Sequence, residues 1–394
     1  MSAERTTSPQ LRRYFDEIVG LRIYLALWVA IGHGLQLAGF ERTNPLLKLL
    51  LNGHAAVQVF MIVSGFVIAN LLLTKQESYP RYITRRFFRL YPGYAVCCVL
   101  GFFTVDSWLF IVEHVPWRSD AWWSGYAASI GELHFEATAN FWQHAGLHAL
   151  MLHGAVPDEI INRAPMVFLP AAWSISLEWQ FYLIAPLVIA AFRAKWSVIA
   201  ATIGAFILLL AYRGGFLGHY DIPATIAANS HFFLIGIASR LGFEKLTALP
   251  GSPMAVSAVG LFLLFALGED VLSVMVWGVF LAYSLWHERE AVTGHLFRLL
   301  MRSRIAMLLG EASYSLYLIH RPIQVVFGVM AVSMISVNHW TMLGSQIAAI
   351  LVALPLSIAM YFGIERPGTE AGRWVAGRLP AGRSTAGQPA VSVG

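Results

Sequence analysis

Gly20-Leu21-Arg22-Ile23-Tyr24-Leu25-Ala26-Leu27-Trp28-Val29-Ala30-Ile31-Gly32-His33 reads as lipid-soluble except for a cation at 22 and an imidazole at 33. Eleven residues of α-helix make about three turns. Arg22 and His33 therefore share one helical face, about 16 Å apart along the axis. Ionisable side chains in an apolar span are expensive to keep and are by default candidates for function. The composition agrees with a membrane setting. Of the 394 residues 57% are hydrophobic and 12% are charged, and the mean hydropathy is +0.62. Soluble chains carry about 25% charged residues. The first apolar run lacks a clean small-residue cleavage site, so it reads as a retained helix rather than a signal peptide. Cys97 and Cys98 are adjacent and offer no disulfide framework.

Long apolar runs continue along the chain and give about ten candidate spans, near 18–38, 54–73, 91–112, 172–192, 196–212, 222–240, 253–268, 271–286, 305–333 and 343–364. Gly268-Glu269-Asp270 reads as the turn of a hairpin between two of them. The expected fold is an all-α integral membrane bundle with both termini cytoplasmic. With that orientation 20 of the 27 Lys and Arg residues lie on the cytoplasmic side and five on the other, a strong positive-inside asymmetry. The chain divides into a cytoplasmic tail 1–17, one membrane domain 18–368 and a cytoplasmic tail 369–394 that reads as disordered. Its longest loop, 113–171, falls outside, is acidic, is rich in Trp and His, and reads as containing interfacial helices. Loops carry specificity, so this one is expected to select the substrate. No internal repeat and no soluble catalytic domain is visible.

Five constellations stand out. Arg22 at the cytoplasmic mouth suits an anionic cofactor or lipid phosphate, and His33 deeper in suits proton removal from a hydroxyl. The bland alternative is a snorkelling arginine and a satisfied core histidine. Arg81, Arg85, Arg86 and Arg89 precede Leu90-Tyr91-Pro92. Arg81 and Arg85 fit ordinary topology signals, whereas Arg86 and Arg89, neighbours on one face, fit either topology or phosphate binding. Glu178 sits in Trp173-Ser174-Ile175-Ser176-Leu177-Glu178-Trp179-Gln180-Phe181-Tyr182, and a carboxylate in an apolar run needs a partner. Its expected depth matches that of His33, so it either orients that imidazole or makes a structural hydrogen bond. His320 and Arg321 precede Pro322, which frees a helix carbonyl near the midplane. Ser64-Gly65-Phe66 reads as a point of close helix approach. The histidines His134, His144, His148 and His153 lack a carboxylate or cysteine at convincing metal-ligand spacing, and no metal site is expected. His231 reads as structural.

Taken in order, these motifs resemble those of the membrane acyltransferase 3 family over about residues 18–368. Arg22 to His33 looks like its Arg-x10-His signature, Phe60-Met61-Ile62-Val63-Ser64-Gly65-Phe66 its Ser-Gly-Phe stretch, and Arg85-Arg86-Phe87-Phe88-Arg89-Leu90-Tyr91-Pro92 its Tyr-Pro element. The Trp173–Tyr182 segment, Ser313-Tyr314-Ser315-Leu316-Tyr317-Leu318-Ile319-His320-Arg321-Pro322 and Ile364-Glu365-Arg366-Pro367 are similar to further family motifs. Gln58 stands where many members carry Asp, so a role for that carboxylate is absent. Some members append a further helix and an esterase-like domain. This chain shows neither and is expected to act alone or to hand its product on.

The resemblance implies a multi-pass inner (plasma) membrane enzyme that moves an acyl group, most often acetyl, from cytoplasmic acyl-CoA to a hydroxyl of a sugar-containing acceptor. It implies His33, as general base or transient acyl carrier, and Glu178 as catalytic, with Glu178 or His320 orienting the imidazole or meeting the acceptor. It implies Arg22, Arg86 and Arg89 as acyl-donor-binding, and Ser64, Trp173, Tyr182 and His320 as acceptor contacts or structural support. Trp173 and Tyr182 are expected to offer sugar-stacking faces in an outer vestibule. No tightly bound cofactor and no nucleic acid partner is expected. The implied partners are the lipid bilayer, acyl-CoA and the acceptor. A multi-pass transporter is the competing reading: spans, intramembrane charges and a proline-broken helix suit it, while the missing pseudo-repeat does not.

Overall fold

The computed structural model describes residues 9–380 except 76, 193, 194 and 335. The first eight residues and 381–394, assigned above to the two tails, lie outside the described residues, as does Arg193. Of the tail 369–394 read above as disordered, 369–378 is instead helical, within the helix Arg366–Arg378. The described chain is all-helical. It begins with α1 (Pro9–Leu37), α2 (Pro45–Leu50), α3 (Gly53–Thr74), α4 (Tyr79–Phe103) and α5 (Val105–His114). The long loop contributes α6 (Ala121–Ala139) and α7 (Phe141–Ala149), followed by α8 (Trp173–Ala191), α9 (Lys195–Arg213), α10 (Ile226–Leu241) and α11 (Phe243–Ala248). Then come α12 (Pro253–Leu267), α13 (Leu272–Trp286), α14 (Ala291–Arg302), α15 (Arg304–Glu311), α16 (Ser313–Met334), α17 (His339–Met360) and α18 (Arg366–Arg378).

Each of the ten expected stretches falls on a helix, but their lengths differ. Among the described residues five helical segments are long and apolar enough to cross a membrane, or six if α4 and α5, bent by 47° at Thr104, count as one broken span. The remainder are shorter: α12 and α13 have 15 residues each and α10 has 16. At about 1.5 Å per residue, 15 residues reach about 22 Å, short of the roughly 30 Å of hydrocarbon. Outward-facing side chains are nonetheless apolar. Phe265, Phe262, Leu261 and Leu187 are all more than 60% exposed, as a lipid-facing belt requires.

Helix α1 starts before residue 18 because Leu11, Tyr14, Ile18, Leu21, Leu25 and Val29 recur three or four residues apart and are all buried. Tyr14 packs into a cluster with Phe66, Phe243 and Phe280. The hairpin expected at Gly268 is present as a short 3-10 turn, Gly268–Val271, between α12 and α13. Gly268 has φ +77°, a backbone conformation that glycine adopts without steric cost. Gly65 of α3 faces α10 so closely that a Cβ would collide with the Phe233 carbonyl oxygen, and Gly236 of α10 is equally close to the Ile62 carbonyl. That is small-residue packing in the sense expected of Ser64-Gly65.

The loop 113–171 is not a cap resting on the bundle. Its Trp117, Trp123, Leu133 and Val167 share a core with Leu37 of α1, Trp108 of α5, Val325 of α16 and Met342 of α17, and the chain then turns inward. Met151, His153, Leu169, Ala171 and Ala172 are at most 2% exposed. Glu136 accepts from Asn140 (2.7 Å), His144 (3.1 Å) and Asn162 (3.1 Å), closing the loop on itself. The rings of His148 and His153 stack at 4.1 Å, and Tyr94 of α4 reaches the His148 carbonyl and His153 Nδ1. These contacts take up three of the four histidines considered above as a string.

Two outcomes follow from this packing. Gly65→Ala should destabilise the protein by about 1–3 kcal/mol, the usual cost of overpacking, seen as a lower thermal midpoint in detergent. Burial pushes the His153 imidazole down from 6.5 to about 4. Between those values the unfolded chain binds the extra proton, so stability falls as pH drops. His153 should contribute about 2 kcal/mol to the loss that hydrogen exchange of 113–171 reports from pH 7 to pH 5, so that the loss is smaller by that amount in His153→Gln while the buried His148 keeps its own share.

Candidate active site

Two cavities penetrate the bundle. The first, about 460 Å³, is lined by His33, Gln36, Arg42, His54, Trp122, Trp173 and Tyr317, among others. The second, about 240 Å³, is lined by Arg22, Ser64, Arg86, Arg89, Ser174, Glu178, Tyr182, Tyr314 and Tyr317. It adjoins a mouth of about 300 Å³ that shares Arg22 and Arg89 and adds Tyr361, Arg366 and Arg373. They are called here the histidine cavity and the arginine cavity.

In the histidine cavity, His33 Nδ1 lies 2.9 Å from Nε2 of the fully buried His320, with the two rings within 13° of coplanar. His320 Nδ1 is 3.2 Å from the Leu316 carbonyl, which can only accept. The proton on His320 therefore sits on Nδ1, and its Nε2 accepts from His33 Nδ1–H. His33 Nε2 is left with a lone pair and no protein partner among the described residues. This chain of donors sets the tautomer as a carbonyl or carboxylate behind a catalytic histidine does. Arg321 seals the back of the pair. It donates to the His33 carbonyl (3.4 Å) and to the Tyr126 hydroxyl (2.6 Å), with its guanidinium 4.3 Å from the Trp108 ring centroid. No carboxylate pairs with it among the described residues.

The arginine cavity collects groups from five helices. Arg86 and Arg89 project from one face of α4, Arg22 from α1, Ser64 from α3, Glu178 and Tyr182 from one face of α8, and Tyr314 from α16. Ser64 donates to Glu178 at 3.1 Å and Tyr182 donates to the same carboxylate oxygen. Arg89 is ion-paired with Glu365, which also accepts from Ser315 at 2.8 Å. Arg86 stacks over the Tyr182 ring at 5.8 Å, its Nε buried without a partner. Arg22 makes no hydrogen bond or ion pair among the described residues. Three guanidinium groups face two carboxylates, so the cavity has an excess of cation and bare donors suited to an anion. Of the neighbouring basic residues, Arg85 pairs with Glu77 and Arg81 donates to the Leu379 carbonyl, which leaves both off the cavity.

Two expectations need correction. Glu178 does not reach His33; it lies in the arginine cavity with Ser64 and Tyr182. Tyr182 is likewise not in the vestibule with Trp173, whose stacking partner is His54 at 5.3 Å. The cause is the inward dip of the loop. The turn Pro170–Ala172 that opens α8 already lines the same cavity as His33, so Glu178 and Tyr182, six and ten residues beyond Ala172, lie about 1.7 and about 2.8 turns further along the helix. Glu365 and Tyr317 were quoted in motifs but not assigned a role. A glutamate at the end of an apolar run was the available signal for Glu365, and a π turn at Tyr361–Glu365 aims it at Arg89.

An acyltransferase domain family model matches residues 15–362, nearly the whole chain. The chain belongs to the acyltransferase 3 family. No curated protein and no solved structure matches it. The match spans both cavities of this acyltransferase, from α1 to the π turn.

The Arg89–Glu365 pair offers a direct check of how the acyltransferase holds its basic cavity. Removing Glu365 alone strands a mostly buried cation, whereas removing both partners does not. Glu365→Ala should be less stable than Arg89→Ala/Glu365→Ala by about 1–3 kcal/mol in detergent unfolding.

Proposed function

We propose that this protein is a membrane-embedded O-acyltransferase that moves an acyl group, acetyl by preference, from cytoplasmic acyl-CoA to a hydroxyl of a sugar-containing acceptor. The acceptor is a surface or exopolysaccharide, a lipid-linked glycan or a glycosylated metabolite. The observation that carries the reading is the His33–His320 pair, whose tautomer leaves a free lone pair on the floor of one cavity while a cationic cavity lies behind it.

The asymmetry of Lys and Arg supports a ten-span arrangement with both termini cytoplasmic in the plasma membrane, with α9, α10, α12 and α13 as its short spans. On that orientation the arginine cavity opens to the cytoplasm and the histidine cavity to the far side. The donor's phosphates meet Arg22, Arg86 and Arg89, and its pantetheine arm carries the thioester inward. The acceptor enters between Trp173, His54 and Trp122, flat faces suited to a sugar ring. His33 Nε2 takes the hydroxyl proton, the acceptor oxygen bonds to the acyl carbon, the carbon–sulfur bond breaks, and the thiolate leaves to be protonated as CoA. His320 holds the His33 ring in place and stabilises the imidazolium through Nε2. General-base assistance contributes about 10²–10⁴ in rate, and positioning by the two cavities supplies the rest.

Mass spectrometry of surface glycans and secreted glycosides from a deletion strain tests this reading. Wild type should restore an acyl-sized mass increment to one acceptor, and His33→Ala at matched expression should lower its yield by about 10²-fold or more. Equal restoration by both would remove His33 as the base. No acyl mass in either strain would sink the acyltransfer reading.

A further inference from the structure

The two cavities share one lining residue, Tyr317. His33 lines only the first and Arg22 only the second, so a thioester anchored at the arginines meets Tyr317 before it meets the histidine. The side chain is 5% exposed. Its ring packs edge-on against Phe60 and lies 6.0 Å from His320. Its hydroxyl donates to the Ala171 carbonyl at 2.7 Å and accepts from the Ser174 hydroxyl at 2.8 Å. Two hydrogen bonds therefore pin α16 to the buried turn that opens α8, across the passage between the cavities.

We propose that Tyr317 is a movable partition: its side chain separates the acyl donor from the histidine cavity at rest, and the acyl thioester crosses to His33 only when the hydrogen bonds to Ala171 and Ser174 open. This rests on the acyl-CoA reading above and adds to it a positioning residue outside the catalytic pair. The closed partition has a chemical purpose. A thioester that reaches the histidine cavity without an acceptor meets water there, and the same lone pair on His33 activates that water. The water oxygen then bonds to the acyl carbon, the carbon–sulfur bond breaks, and the products are acetate, a proton and the free thiol of CoA. The partition suppresses this loss. Its fastening is weak enough to yield, since two neutral hydrogen bonds contribute little net stability each. Tyr317 is also one turn before His320, on the same face of α16, so displacement of the phenol is felt next to the base.

The test uses the full-length protein in nanodiscs with acetyl-CoA alone, no acceptor present, and follows free thiol release. Wild type should release CoA slowly. Tyr317→Phe keeps the ring and loses both hydrogen bonds, and should release CoA faster by about 2- to 12-fold for each hydrogen bond lost from the opening equilibrium. Tyr317→Ala should be faster still, and adding His33→Ala to either should return release to the wild-type rate or below. Calorimetric binding of acetyl-CoA shows that each variant is folded, and Tyr317→Phe carries the test should Tyr317→Ala fail to fold. Acetyl-CoA binding with unchanged CoA release in Tyr317→Phe would overturn the partition and leave the acyltransfer reading standing. So would faster release that persists without His33. Absence of acetyl-CoA binding to wild type would instead remove the donor assignment on which the partition depends.

Discussion

A charge carried into an apolar bundle has to be met by a partner, and here the partners come from distant parts of the chain. His33 on α1 is met by His320 on α16, Arg89 on α4 by Glu365 beyond α17, and Ser64 on α3 by Glu178 on α8. Each pair costs desolvation that it recovers only when its geometry is complete, so the helices that carry them cannot slide independently. The two cavities are what remains where these pairs leave a group unmet. Arg22, Arg86 and the Nε2 of His33 are among those groups, the first two cations without a carboxylate partner and the third a bare base among the described residues.

The bundle is drawn together around them by backbone contact as well as by charge. Gly65 and Gly236 let α3 and α10 touch, and in the same manner Gly20 brings α1 against α14 at Met301 and Gly310 brings α15 against α1 at Val19. Without a hydrophobic drive between helices inside lipid, such close approach supplies much of the association. Tyr317, which lines both cavities, is held through its hydroxyl by Ala171 and Ser174.

The loop 113–171 is joined to the histidine cavity through Arg321. Tyr126 of the loop and Trp108 of α5 hold Arg321, which in turn contacts the backbone of His33. A segment expected to choose the substrate is thus physically joined to the residue proposed as the base. The join runs through a cation held by a phenol, an indole face and a carbonyl. A disturbance of the loop has a short path to the His33–His320 pair.

Much of this was legible in the residues alone. Apolar runs located the helices, and the costly side chains Arg22, His33, Arg86, Arg89, Glu178 and His320 announced themselves by standing in such runs, since burial of an ionisable group demands a reason wherever it occurs. Their grouping was not legible. Depth counted from helix ends placed Glu178 beside His33 and Tyr182 beside Trp173, on the assumption that α8 starts at the membrane surface. The loop before it folds inward, so α8 starts already sunk to the level of His33, and both residues fall into the arginine cavity. Helical periodicity states which side chains share a face on one helix, because that follows from local backbone geometry. Which faces meet, how deep each helix is set, and that Tyr317 lines both cavities are decided by packing among residues hundreds of positions apart, and only the tertiary structure holds that information.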